Sequence, residues 1–204
     1  MGNVGQSYFG RLNINMPKLK DILRYERKIY FNSYKDYIKE MLFKSDTYYI
    51  WKFMRLLRYE EYFRDKYLKH KAAYFIPLIW YRSKKNKMGL KLGFDIPAGV
   101  LGKGARLYHQ GQIVINPEAK IGDDVVIIGN VCIGNDGKED MAATIGNYCT
   151  LSWGVIVLGN VSIADNCLIG AGAVVTHDII EPNSVVVGVP AKAIGRTNQN
   201  RIKD

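Results

Sequence analysis

Aliphatic residues return at every sixth position through the second half of the chain: Ile115, Ile121, Ile127, Ile133, Ile145, Leu151, Val157, Ile163, Ile169 and Val175. The interval from Ile133 to Ile145 is twelve residues, so the loop inside it keeps the phase. A second column of small apolar residues follows four places later, at Ala119, Val125, Val131, Cys149, Val155, Val161, Cys167, Ala173 and Ile179. Turn formers stand between the columns, as in Asp123-Asp124, Gly129-Asn130, Gly159-Asn160 and Asp165-Asn166. Such residues accept tight or left-handed backbone at low cost. A helix spaces its apolar face by three and four, and a half-buried strand by two. Two columns in phase at six predict a parallel β-solenoid of short strands and corners. The usual handedness of crossovers predicts a right-handed winding.

Upstream the spacing changes. Pro17 suits a first helical turn, with Leu19, Ile22 and Leu23 behind it. Tyr34, Tyr37, Ile38, Met41 and Leu42 recur at three and four. Ser45 or Asp46 is placed to cap a third helix through Ile50, Phe53, Met54 and Leu57, ending near Arg64. A fourth helix is predicted from Tyr67 to Tyr81, and the run from Arg82 to Lys87 reads as a basic linker. The predicted chain is α+β: a helical leader over 1–90, a solenoid over 91–195 and a tail over 196–204.

Charge separates these parts. Residues 1–92 carry 21 Lys+Arg against 8 Asp+Glu, whereas 93–204 carry 8 against 11. Twelve of the fourteen tyrosines also fall in the first 92 residues. A basic, tyrosine-rich leader fits solvated helix faces, peripheral contact with an anionic bilayer, or an acidic polysaccharide. No nucleic-acid module accompanies the basic residues, which argues against DNA or RNA as partner. Residues 1–11 have neither a signal peptide's apolar core nor a myristoylation motif, and no apolar run reaches eighteen residues. Cytoplasm is the expected compartment. Cys149 and Cys167, eighteen residues apart in the inward column, read as core residues of adjacent coils. His70, His109 and His177 are too scattered for a zinc site, and no metal is expected.

The solenoid stumbles once. Leu107 to Ile115 is eight residues rather than six, and His109 lies in that interval. A break in a regular pattern is where function is expected. Trp153 occupies a turn column otherwise filled by small or polar residues, so its indole is predicted to project outward.

The repeat, with Ile169-Gly170-Ala171-Gly172-Ala173 and the closing Gly188-Val189-Pro190-Ala191-Lys192, resembles the hexapeptide-repeat acyltransferases, serine acetyltransferases among them. The stretch from Ile50 to Arg58, followed by Glu60-Glu61-Tyr62, resembles the short leader of bacterial polysaccharide O-acetyltransferases. It does not look like the longer helical domain of serine acetyltransferases. The resemblance implies a left-handed prism, against the crossover rule, and a homotrimer with acetyl-CoA between neighbouring prisms. His109, in Leu-Tyr-His-Gln-Gly, matches the family's catalytic histidine, and Asp95, in Gly-Phe-Asp-Ile-Pro, matches the aspartate that pairs with it. The family's usual Asp-Ile-His-Pro is here Asp-Ile-Pro, which shortens the gap. Gly134, Asn135, Trp153, Gly154, Gly170, Ala171, Gly172 and Lys192 are the implied cofactor contacts. Tyr108, Gln110, Asp140 and Met141 are the implied acceptor contacts. Serine acetyltransferases carry an Arg-His pair where this loop has Met141 and Ala142. Loss of that cation weakens the grip on an amino-acid carboxylate, so a sugar hydroxyl of a surface polysaccharide is the expected acceptor. L-serine is the second reading, and a non-catalytic trimeric scaffold the third.

Overall fold

A computed structural model of the chain describes residues 16–138 and 140–197. Four helices come first: α1 (Met16–Tyr30), α2 (Tyr34–Leu42), α3 (Asp46–Lys69) and α4 (Lys71–Leu92). Ser33 and Ser45 cap α2 and α3, each hydroxyl accepting a backbone N–H three residues on, as the capping rule requires. The predicted basic linker is helix. Nothing between Arg82 and Lys87 breaks a helix, and Lys85 is buried with its ammonium on the Ile96 carbonyl at 3.0 Å and the Glu60 carboxylate at 3.3 Å. α3 also runs past the predicted stop at Arg64, to Lys69. Pro77 is accommodated inside α4. The reading of residues 1–11 lies outside the described residues, as does the predicted tail beyond 197.

The strands then wind as predicted. The first turns hold β1 (Phe94–Asp95), β2 (Arg106–Tyr108), β3 (Ile113–Ile115), β4 (Lys120–Ile121), β5 (Val126–Ile128) and β6 (Val131–Gly134). After a loop come β7 (Thr144–Ile145), β8 (Thr150–Leu151), β9 (Ile156–Leu158) and β10 (Ser162–Ile163). β11 (Leu168–Ile169), β12 (Val174–Val175) and β13 (Ser184–Val187) follow, and β14 (Lys192–Arg196) turns back antiparallel on β13. Three parallel sheets result. Face I stacks β1-β3-β6-β9-β12, face II stacks β4-β7-β10, and face III stacks β2-β5-β8-β11-β13 with β14 at its edge. The winding is left-handed, not the right-handed one that crossover statistics favour.

The sixfold aliphatic column points inward on every face: Ile115, Ile121, Ile127, Ile133, Ile145, Leu151, Val157 and Ile169 are all at most 2 % exposed. Cys149 and Cys167 stack in this core on successive coils. The thiol of Cys149 is pushed up by its hydrogen bond with Cys167 and by burial. The core continues upward without a gap into Phe31, Ile50, Trp51, Phe53, Met54 and Leu57 of the helices. Phe53 meets Phe94 edge-on at 5.2 Å. The helices thus plug the open end of the prism, which a stack of repeats cannot close by itself.

A buried charged seam fastens the plug. Arg58 lies 2.7 Å from Glu26 and 3.0 Å from Glu61, and it donates to the carbonyls of Leu101 at 3.0 Å and Gly102 at 2.5 Å. The two carboxylates in turn accept the N–H groups of Gly104 (3.1 Å) and Gly99 (2.9 Å). Burial pushes the Glu26 carboxyl up, against the lowering effect of Arg58. Two phenols complete the attachment: Tyr30 accepts the Leu107 N–H at 2.9 Å, and Tyr25 donates to Asp124 at 2.7 Å.

Candidate active site

The two extra residues of the phase break land at the corner between faces III and I. β5 reaches β6 through Gly129-Asn130 alone, whereas β2 reaches β3 through His109-Gln110-Gly111-Gln112. The widened turn is tied down on both sides. Gly111 donates to the Leu92 carbonyl at 3.0 Å, Ile113 donates to Gly93 at 2.9 Å, and Gln112 donates to the Asn130 side chain at 2.9 Å. Gly93 closes α4 in the left-handed conformation, and a Cβ there would lie 2.7 Å from the Gly111 carbonyl oxygen. Only glycine lets the helix end sit directly on this turn.

His109 itself has φ 57°, a left-handed backbone that is uncommon outside glycine. Its imidazole is exposed. The registers of face III place His109, Gly129, Trp153 and Ala171 one above another at this corner. Trp153 projects outward as predicted and reaches across Gly129, so that its indole meets the imidazole edge-on with ring centroids 6.4 Å apart. A Cβ on Gly129 would stand 2.5 Å from the indole. The missing side chain at Gly129 is what lets two residues separated by a coil touch. That contact was not legible in the six-residue pattern.

Beside the histidine, the outer surface of face III holds a cavity of about 530 Å³ lined by Tyr108, His109, Ile128, Thr150, Ser152 and Leu168 among others. The Tyr108 and His109 ring centroids are 6.1 Å apart, and the Arg106 guanidinium lies over the Tyr108 ring at 4.4 Å. Gln110 turns away and donates to Asp46 of α3 at 2.5 Å. The corner thus offers a base, an aromatic wall and hydroxyl-bearing neighbours in one place.

The other expected residues are distributed differently. Asp95 lies exposed on the outer row of face I, beside Val114 in the β1–β3 ladder. No hydrogen bond or ion pair joins it to His109 among the described residues. Gly154, Gly170, Ala171 and Gly172 share the His109 corner on lower coils. Gly134 and Asn135 sit on the opposite edge of face I, where β6 ends. Asp140 and Met141 belong to the loop at that same far corner and are exposed, whereas Ala142 is buried. Lys192 is exposed at the start of β14, alongside Val187. His177 occupies an exposed bend after β12, and His70 the exposed joint between α3 and α4.

Outer positions on the three faces differ. Face I presents Val114, Cys132, Ile156 and Val174 in register below Asp95. Face II presents Lys120, Thr144 and Ser162. One face has an apolar stripe and the other is polar.

No family model matches the chain. It is 42 % identical over 106 residues to serine acetyltransferase 4 of Arabidopsis thaliana, covering 50 % of this chain and 30 % of that protein. It is 37 % identical over 108 residues to the serine acetyltransferase of Mycobacterium tuberculosis, covering 52 % and 47 %. The chain thus spans less than half the length of these relatives. In three dimensions it superposes on the Neisseria gonorrhoeae serine acetyltransferase with a TM-score of 0.64 at 26 % identity, over 90 % of this chain and 67 % of that one. The soybean apoenzyme gives 0.68 at 23 %, over 87 % and 69 %.

These matches correct one expectation and leave a second without support. The first is the acceptor: the relatives are serine acetyltransferases, which overturns the polysaccharide hydroxyl and backs the second reading. The missing Arg-His pair concerned only Met141 and Ala142, the first exposed and the second buried, and that one local departure did not decide the acceptor. The second is the leader: a superposition over 90 % of the chain necessarily includes much of the helical part. Its likeness to polysaccharide O-acetyltransferases finds no support in these matches.

Proposed function

We propose that this chain is an acetyl-CoA-dependent O-acetyltransferase whose acceptor is the hydroxyl of L-serine, with His109 as general base. The observation that carries the reading is His109 itself, held in a left-handed turn at the widened corner between faces III and I. The similarity to serine acetyltransferases supplies the acceptor and the donor.

An alcohol is far too weak an acid to ionise at neutral pH, whereas an imidazole with a pKa of about 6.5 is suited to take its proton. His109 removes that proton as the oxygen attacks the thioester carbonyl. The tetrahedral intermediate collapses by breaking the carbon–sulfur bond, and the imidazolium returns the proton to the departing thiolate. The Trp153 indole restricts the imidazole's rotation and walls the thioester side. Transfer is direct.

A homotrimer belongs to the same proposal. Lys192 aside, the expected cofactor contacts lie on two edges of face I, and a single prism cannot fold them onto one ligand. A neighbouring copy packed on the apolar stripe of face I would bring one prism's loop corner to another's histidine corner. A cyclic trimer needs such unlike surfaces in contact.

The test is thiol release from acetyl-CoA with L-serine, comparing the wild type with His109→Ala. A fall of about 10²–10⁴ in turnover with CoA affinity kept is expected; an unchanged rate rejects the assignment. Silence on L-serine with CoA still bound rejects the acceptor alone. Asp95→Asn reports on the pairing. A loss approaching that of His109→Ala means the carboxylate reaches the imidazole in the loaded site, and near-full activity means His109 works without it.

A further inference from the structure

α4 has two apolar sides, and only one of them is used. Leu78, Lys85, Gly89 and Leu92 face inward. On the opposite side Phe75, Ile76, Ile79 and Trp80 are 51 %, 77 %, 46 % and 52 % exposed, at the three- and four-residue spacing of a single stripe. Isolated exposed apolar residues are ordinary, but four large ones on one helical turn and a half are not.

A row of lysines borders this stripe. Trp80, Lys84, Lys87 and Lys91 follow one another at intervals of four, three and four, and the Lys84 ammonium lies 5.5 Å from the Trp80 ring centroid. With Lys52 and Leu56 of α3 they line a cavity of about 330 Å³. α4 has six basic residues and no acidic one. The nearest carboxylate pairs are turned to the other side: Glu60 is buried and engages Arg82 at 2.9 Å and Lys85 at 3.3 Å. No ion pair links Lys52, Lys84, Lys87 or Lys91 to a carboxylate among the described residues.

We infer that the outer side of α4 docks on an anionic phospholipid bilayer. The apolar stripe would enter the headgroup region, Trp80 would sit at the interface, and the lysine row would meet lipid phosphates. Charge decides between this occupant and a second copy of the chain. Packing two such sides together would bring lysine rows against each other with no carboxylate to answer them, whereas an anionic surface complements every one. No helix of the described chain is long and apolar enough to cross a membrane, so the contact is peripheral. The inference rests on this surface and not on the reaction.

The experiment is flotation of the full-length chain with vesicles of phosphatidylcholine, alone and mixed with phosphatidylglycerol, at low and high salt. Binding to the mixed vesicles that fades with salt is expected, with Trp80 quenched by lipids brominated on the acyl chain and that quenching absent in Trp80→Phe. Removing Lys84, Lys87 and Lys91 as Gln should weaken binding roughly fivefold per lysine. Ile76→Ser with Ile79→Ser should abolish it, without changing the thermal transition, because both side chains are exposed. Three results overturn the inference: no flotation at low salt, equal flotation on neutral vesicles, or assembly of chain copies that Ile76→Ser with Ile79→Ser dissolves.

Discussion

The prism and its helical plug are held together by opposite means. Inside the prism every contact repeats: an aliphatic side chain meets its counterpart one coil above and one below, and charge stays outside. Between plug and prism nothing repeats. Arg58 reaches a carboxylate 32 residues away in α1, and that carboxylate reaches an N–H 78 residues further on. A periodic core is cheap to extend but has no instruction for where to stop, because each coil is satisfied by any other. The buried ion triad fits only one place, the first coil, and so supplies that instruction. Buried charges of this kind are costly to desolvate and most damaging when one partner is removed.

The difference can be broken from the seam first. Arg58→Ala leaves Glu26 and Glu61 buried without their counter-ion, and a loss of about 3–5 kcal/mol in denaturant unfolding is expected. Hydrogen exchange should rise in α1 and α3 before it rises in the lower coils. A loss below about 1 kcal/mol would mean that apolar packing alone holds the plug. Within the prism, Ile127→Ala should cost about 3 kcal/mol through the cavity it leaves. Here the exchange change should centre on the neighbouring strands of β5 and spare the helices, and a response reaching α1 equally would show that the two regions unfold as one.

The corner of His109 gives a finer test. Gly129→Ala combines strained backbone with a clash against Trp153, and about 1–3 kcal/mol is expected. In a Trp153→Ala background the clash disappears, so the two changes should be non-additive. Additive losses would show that the indole does not lie over Gly129. The smallest effect concerns Tyr25. Its hydrogen bond to Asp124 pushes the phenol up to about 12, so the contact is intact below the ordinary phenol value and is lost as pH rises through that figure. Stability measured across the alkaline range should fall slightly more in the wild type than in Tyr25→Phe. The contact is exposed to solvent, so the difference should be about 0.5 kcal/mol or less.

The same contrast governs what was legible in the sequence. Period six revealed the solenoid and its inward column, and the eight-residue interval at Leu107–Ile115 marked the widened corner, because these are local regularities. The side of Trp153 could be read from the column in which it stands. The seam could not be read, since Glu26 stands 32 residues from Arg58 and the i,i+3 spacing of Arg58 and Glu61 gives no sign that the pair is buried. Lys85 misled for a related reason: a lysine in a basic run looks solvated until the carbonyl that buries it is placed. Asp95 matched a motif, and the motif alone said nothing of its place on the outer row of face I beside Val114.

The stacked strands of face III also act as a ruler. Five strand spacings separate β2, which ends at Tyr108 beside the histidine, from β14, which opens at Lys192. At about 4.8 Å each, these two strands stand roughly 24 Å apart across the sheet. The graduation is one coil, and the inward column would stay in register if a coil of eighteen residues were spliced in or cut out. Such an edit would lengthen or shorten the span by about 4.8 Å while leaving both ends chemically intact. An elongated donor gripped at both ends would register that change as a mismatch in length alone.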